Sequence, residues 1–270
     1  MSMTGNMELA VNNPFRYRGY YYDVESGLYY LNSRYYDPQT GRFINADELF
    51  DNGVGILGYN MYSYCINNPI NMVDDDGYAP AYISSQDDKT TVKINGKTEK
   101  IQNIRWGLVG NIKDNGCGVI AAYNVLLSRS SRTDFGKVKS ELSFCGGALA
   151  YGKLGASPFA LTRYMYSKFW RVRTAGAITY LWGIKAELSQ SVIVLIKWGG
   201  GLGMHYIAGI GTGQRDVGGS FKFYNSSLYD ERGKSIDGKT MSIWTFLDYV
   251  RANGATPVYF IGVSGKKGWW

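Results

Sequence analysis

Asp114-Asn115-Gly116-Cys117-Gly118-Val119-Ile120-Ala121-Ala122-Tyr123-Asn124-Val125-Leu126-Leu127 is the stretch on which the reading of the chain turns. A thiol stands between two glycines, and an apolar run of helix length follows at once. The pattern predicts a helix that opens at Cys117. Unpaired N–H groups and the positive end of the helix dipole at such a start favour a thiolate over a thiol. The chain has 1 histidine, His205, in Gly203-Met204-His205-Tyr206. It is the obvious general base for chemistry near neutral pH.

Working outward, Ser157-Pro158-Phe159-Ala160-Leu161 predicts a second helix, with Ser157 as N-cap and Pro158 in the first turn. Ile178 to Leu188 reads as a short helix. The pattern then changes to strands: Ser191 to Trp198 is apolar enough to be buried, and Met204 to Ile210 and Phe221 to Asn225 follow. Met241 to Ala252 is helical, and Val258 to Val263 closes the chain as a strand. Helices first and an antiparallel sheet later define an α+β fold. If residues 204–225 form a hairpin turning near residue 215 or 216, His205 lies close to opposite Asn225. Cross-strand neighbours there have Cβ atoms about 5 Å apart. Asn225 would then accept the His205 N–H and fix the ring, a nucleophile–base–orienter arrangement. A slip of one residue turns Asn225 away and leaves Ser226 in its place.

A chain of 270 residues holds one large domain or two smaller ones. It has no apolar run of about 18 residues, so no transmembrane segment is expected. Its first residues do not read as a secretory signal peptide. Three cysteines, Cys65, Cys117 and Cys145, are too few and too uneven for a disulfide framework. Without Cys-x-x-Cys pairs, and with a single histidine, neither a metal nor another cofactor is expected. Cys65 reads as packing, and Cys145, in Phe144-Cys145-Gly146-Gly147, as a rival nucleophile without a helix behind it. Gly199-Gly200-Gly201-Leu202-Gly203 has the composition of a phosphate loop but lacks its Gly-Lys-Ser/Thr ending.

The net charge of +7 conceals an asymmetry. Residues 1–78 contain 4 Lys/Arg and 10 Asp/Glu, and residues 79–270 contain 25 and 12. Opposite charge in the two parts suggests two modules. A basic second module is either a solvated surface or one that meets an acidic partner, an anionic membrane or nucleic acid.

The first module is rich in tyrosine and punctuated by turn residues. It reads as a meander of short antiparallel strands. Gly19-Tyr20-Tyr21-Tyr22-Asp23, Gly27-Leu28-Tyr29-Tyr30, Arg34-Tyr35-Tyr36-Asp37-Pro38 and Gly41-Arg42-Phe43 carry a specific pattern, continued by Tyr59-Asn60, Tyr62-Ser63-Tyr64 and Asn67-Asn68-Pro69-Ile70-Asn71. Over about residues 13–77 this resembles the Rhs repeat-associated core, the last YD-repeat segment of Rhs-type polymorphic toxins. The resemblance implies a segment that closes a β-shell around a variable C-terminal toxin. The family's self-cleavage junction is matched by Pro69, Asp74 and Gly77, whereas Asp75 and Tyr78 replace a proline and a leucine.

The second module resembles the papain-like superfamily, nearest to C39-like peptidases, through Asn115-Gly116-Cys117-Gly118, Met204 to Gly211, Phe223-Tyr224-Asn225 and the helix from Met241. That resemblance implies Cys117 as nucleophile, His205 as base and Asn225 as the orienting residue. It places Asn111 where the family has its oxyanion glutamine, with Gln102 as a more distant substitute. The domains expected are residues 1–78, a tail of the Rhs core; 79–104, a linker with a β-hairpin; and 105–270, a papain-like cysteine hydrolase acting on protein amide bonds. The partners implied are a protein substrate in a target cell, a cognate immunity protein and the remainder of the Rhs β-shell, with no specific nucleic acid. The location implied is that of a secreted or delivered effector. Two other readings are a non-catalytic carrier or degenerate effector that binds an acidic immunity protein, and a nuclease toxin. The second is disfavoured by the single histidine and the absence of a metal-binding cluster.

Overall fold

Runs of two or three tyrosine-rich residues bury little surface alone, so they gain stability only by pairing. In the computed structural model, which describes residues 13–31, 33–46, 60–65, 82–87, 89–94, 97–129, 133–149, 155–199, 203–212 and 219–266, the chain divides into two compact units. One is Met1–Ala81 with Ser130–Arg132, and the other is Tyr82–Arg129 with Thr133–Trp270. The fold is α+β, with a tyrosine-rich strand segment first and a larger antiparallel sheet flanked by helices after it.

In the first unit, β1 (Tyr21–Tyr22), β2 (Tyr29–Tyr30), β3 (Tyr35–Asp37) and β4 (Arg42–Phe43) pair antiparallel in chain order. Asp23 and Asp37 set the turns between them by accepting the N–H groups of Glu25 and Gln39. The core is Tyr20, Leu31, Tyr36, Phe43, Tyr64 and Cys65. Tyr36 and Tyr64 pack with ring centroids 4.2 Å apart, and the hydroxyls of Tyr20 and Tyr64 bond at 3.0 Å. Tyrosine serves here because its ring packs while its hydroxyl finds a polar partner. The motif residues Tyr59 and Asn67 to Asn71, and the junction from Pro69 to Tyr78, lie outside the described residues.

The second unit opens with a hairpin, β5 (Thr91–Ile94) and β6 (Lys97–Lys100), followed by a two-residue pair, β7 (Arg105–Trp106) and β8 (Gly110–Asn111). The hairpin is part of this unit: a Cβ on Gly136 would meet the Ile94 Cγ2 at 2.7 Å. Then come α1 (Ile112–Asn115), α2 (Cys117–Leu127), α3 (Phe135–Phe144) and α4 (Pro158–Lys168). Ser157 caps α4 by accepting the Ala160 N–H, with Pro158 in the first turn, as the sequence predicts. The remaining elements are β9 (Phe169–Ala175), α5 (Thr179–Glu187), β10 (Ser191–Trp198), β11 (Met204–Gly211), β12 (Ser220–Tyr224), β13 (Thr240–Ser242), α6 (Ile243–Ala252) and β14 (Ala255–Lys266).

Six strands form one antiparallel sheet in the order β13-β12-β11-β10-β14-β9. Central β10 is buried from Ser191 to Ile196, as its unbroken apolar run requires. One face of the sheet packs Val192, Val194, Ile196 and Ile207 against Trp182 of α5 and Phe246 and Val250 of α6. The opposite face receives α2, which is buried at every position but Tyr123. At the outer edge, β9 gives its Val172 carbonyl to the Tyr166 hydroxyl and its Thr174 carbonyl to the Lys185 ammonium. The sequence reading lacks β7, β8, α1, α3 and β9, takes Met241 and Ser242 of β13 into the helix that follows, and gives the last strand only half its length.

Candidate functional site

Residues ahead of β5 hold the site together from an unexpected direction. Tyr82 to Gln86 form a strap outside any helix or strand. Ile83 is held at both backbone atoms by the buried Asn124 of α2: its N–H donates to Oδ1 at 3.0 Å, and its carbonyl accepts from Nδ2 at 2.9 Å. The Tyr82 ring lies 4.7 Å from that of Tyr224, the last residue of β12. The Ser84 carbonyl accepts the Asn225 N–H at 3.2 Å.

Cys117 is the first residue of α2, with Gly116 as its N-cap. The flanking glycines have a packing reason. A Cβ on Gly116 would stand 2.6 Å from the Ile112 carbonyl oxygen in the tight turn from α1, and one on Gly118 would stand 2.4 Å from the Ala156 Cβ. Gly118 thus brings the start of α2 down onto Tyr206 of β11, whose hydroxyl donates to the Ala156 carbonyl. The thiol is buried, and burial pushes its pKa up; the backbone N–H groups of Tyr206, Gly118 and Cys117 itself pull the other way and do not win. The helix start therefore does not make a resting thiolate, contrary to the sequence expectation, because desolvation outweighs the N–H groups of one helix end.

His205 lies opposite Ile196 in the β10–β11 ladder. Alternation along β11 turns Tyr206 toward α2 and His205 toward the face of Ile196 and Trp198. The Trp198 and His205 ring centroids are 5.9 Å apart. Burial lowers the imidazole pKa, and the Asn225 carbonyl works against that shift. Histidine Nε2 stands 2.5 Å from this carbonyl oxygen. A carbonyl only accepts, so Nε2 carries the proton and the neutral ring keeps its free lone pair on Nδ1.

Asn225 therefore orients His205, by its backbone and not by its side chain. The register explains the difference. Ladder pairs run from Ala208↔Tyr224 to Gly211↔Phe221, so the position opposite His205 is 227 and not 225. Strand β12 has ended by then. Asn225 takes a left-handed conformation with φ 57°, which turns its carbonyl toward the imidazole. Its amide is used elsewhere: Nδ2 donates to Gln86 Oε1 at 2.9 Å.

The expected oxyanion amide is also engaged. Asn111 caps α1, its Oδ1 accepting the Asp114 N–H at 2.8 Å and its Nδ2 donating to Asp114 Oδ2 at 2.8 Å. Gln102 lies exposed in a 3₁₀ turn. The structure thus brings His205 and Asn225 into contact. It brings Cys117 to the residue next to His205, where the β12-facing side of β11 has lost its partner strand. Among the described residues, the hydrogen bond recorded for the imidazole runs to Asn225 and not to the thiol. Cys145, the rival, lines a groove with Glu141, Tyr164 and Lys168, in which Glu141 accepts from both others at 2.9 Å. Sequence reasoning missed Gln86, which sits 139 residues from its partner Asn225 and belongs to no motif. Among the described residues there is no cluster of His, Cys, Asp and Glu able to hold a metal, and no helix long and apolar enough to cross a membrane.

Over about a quarter of its length, the chain is similar to toxin proteins. It is 46% identical over 67 residues to the tRNA nuclease WapA of Bacillus subtilis, covering 25% of this chain and 3% of that protein. It is 44% identical over 71 residues to the double-stranded DNA deaminase toxin A of Burkholderia cenocepacia (26% and 5%), and 45% identical over 64 residues to the toxin protein Tse5 of Pseudomonas aeruginosa (24% and 5%). The chain thus spans only a small part of the length of these relatives. No protein-family model matches the chain, and no solved structure matches it. The expectation of a cysteine peptidase or amidohydrolase is overturned here: the relatives with a named activity are a tRNA nuclease and a DNA deaminase, which are other types of enzyme.

Proposed function

We propose that this chain is part of a polymorphic toxin delivered to a target cell and matched by a cognate immunity protein. In this reading the tyrosine-rich unit is the carrier and the second unit the effector. Each stretch shared with the three relatives above is no longer than the tyrosine-rich module, which fits a common carrier joined to different effectors.

The effector's reactive centre, in the same reading, is Cys117 with His205. One observation carries it: the chain's single histidine is held with Nδ1 free, one residue from the N–H that faces a buried thiol. His205 starts on the sheet face opposite α2, so for Nδ1 to accept the thiol proton the ring has to reach round the free edge of β11, where β12 has ended. The Asn225 carbonyl then bears the imidazolium N–H, and the backbone N–H groups around Sγ receive the thiolate charge. The resting pair is neutral, so the thiolate forms only as the electrophile arrives. Proton transfer takes place at the open side of β11 beyond Tyr224.

A second reading concerns the substrate. The excess of basic residues in 79–270 fits a nucleic-acid target. One experiment addresses both. The full chain, Cys117→Ala and His205→Ala are expressed inducibly, and growth, tRNA integrity and DNA sequence are followed. Loss of toxicity in both variants is expected. Undiminished toxicity of folded Cys117→Ala would remove the thiol from the mechanism, and intact tRNA and DNA in poisoned cells would remove the nucleic-acid target.

A further inference from the structure

We infer that Gln86 is a positioning residue for His205, acting through Asn225. The inference rests on the reading of Cys117 and His205 as the reactive centre. Both ends of the Gln86 amide are used, and they join the two halves of that centre. Oε1 accepts from Asn225 Nδ2 at 2.9 Å. Nε2 donates to the carbonyls of Ile112 and Lys113 at 2.8 and 3.0 Å. Those carbonyls belong to α1, the turn that ends at Gly116 and sets where Cys117 begins. The same Ile112 carbonyl also takes the Gly116 N–H. One side chain thus ties the turn that places the thiol to the residue that orients the imidazole.

Asn225 needs such a tie. A non-glycine residue with φ 57° is held there by its surroundings. Two contacts fix Asn225 from the strap: its N–H on the Ser84 carbonyl and its amide on Gln86. The carbonyl that meets His205 moves with the same backbone. The peptide following Asn225 is also held on its far side, by the Ser226 N–H on Asp237 Oδ1 at 2.9 Å. If the Gln86 amide is released, Asn225 keeps that bond and the one to Ser84 but loses its side-chain anchor, and its carbonyl is held less firmly against Nε2. The ring is then less firmly kept with Nδ1 as its lone-pair atom.

The chain's single histidine makes this measurable without assignment. In the full-length protein, long-range ¹H–¹⁵N spectra report the tautomer of His205 and its titration. Wild type is expected to show the Nε2–H form. Gln86→Ala, and the near-isosteric Gln86→Met as a safeguard for folding, are expected to show a mixture of tautomers and a titration midpoint moved further down, because the Asn225 carbonyl is the group that raises it. Toxicity is expected to fall about tenfold or more, as for small misplacements of a reacting group. Unchanged tautomer and midpoint in folded Gln86→Met would overturn the inference, whatever its toxicity. A shifted tautomer with undiminished toxicity would leave the positioning intact and overturn the role of His205 in the chemistry.

Discussion

His205 is oriented by the carbonyl oxygen of Asn225, while the amide of the same residue is turned to Gln86. The side chain of Asn225 therefore matters for the backbone it stabilises and not as a direct partner of the ring. Substitutions at this position separate the two roles.

Asn225→Ala keeps a carbonyl but loses the Gln86 bond and makes φ 57° less favourable. It leaves Gln86 Oε1 without its donor, which costs about 1–3 kcal/mol. Asn225→Gly loses the same bond but tolerates the backbone. Urea unfolding should rank stability as wild type, then Gly, then Ala. Equal stability of the Ala and Gly variants would show that the left-handed conformation carries no strain.

The buried thiol should react late. Cys145 is half-exposed and Cys117 buried with a raised pKa. Mass spectrometry after brief iodoacetamide treatment at pH 7 is expected to find Cys145 modified first. Labelling of Cys117 should rise with pH, since only the thiolate reacts. Rapid labelling of Cys117 at pH 6 would mean a resting thiolate after all.

Stability should depend on His205 in a defined pH window. Burial holds its folded pKa below the ordinary 6.5. Below about pH 6.5 the unfolded chain takes up a proton that the folded one resists. The stability contributed by the neutral ring is thus complete above that pH and is lost as pH falls through the lower folded value. The difference in urea midpoint between wild type and His205→Gln should shrink from pH 7.5 to pH 5. A constant difference would place the folded pKa at its ordinary value.

Gly118→Ala should destabilise by about 1–3 kcal/mol through overpacking against Ala156 and Tyr206. Adding Ala156→Gly removes the nearest clash and should restore part of the loss. Chemical denaturation of the two single variants and the double variant measures the coupling, and strict additivity would show that the two Cβ atoms do not compete.

Asn124→Ala removes both partners of the Ile83 backbone in a buried place. A loss of about 2–4 kcal/mol is expected for the two orphaned groups. Hydrogen exchange at Ile83 should rise more than at Val194 in the sheet centre. Equal protection at the two would mean that the strap opens only with the whole unit.

Much of the fold is local in origin and so was open to sequence reading. The cap at Ser157 with Pro158, the apolar run of β10 and the helix opening at Cys117 each declare themselves within a few residues. Strand β9 was missed although Phe169-Trp170-Arg171-Val172-Arg173 has strand-forming residues, because it follows α4 with no turn residue between them. The candidate site was half legible. Asn225 does meet His205, but not as a cross-strand neighbour through its side chain: the ladder puts position 227 opposite the histidine, and the contact is made by the Asn225 carbonyl after the strand has ended. Where β12 ends, and that a backbone carbonyl takes over, depends on Ser84 and Gln86, far away in sequence. The thiol's raised pKa was equally hidden, since it reflects how deeply α2 settles on the sheet.

The edge strand β9 has a bearing on solubility. An open strand edge is a template on which another chain can grow. Here the carbonyls of Val172 and Thr174 are already occupied by Tyr166 and Lys185, while Arg171 and Arg173 add positive charge along the strand. A second molecule that approached this edge would have to displace two internal donors and set arginines against arginines. Many copies of the unit can therefore be crowded together without zipping into fibres along this side of the sheet.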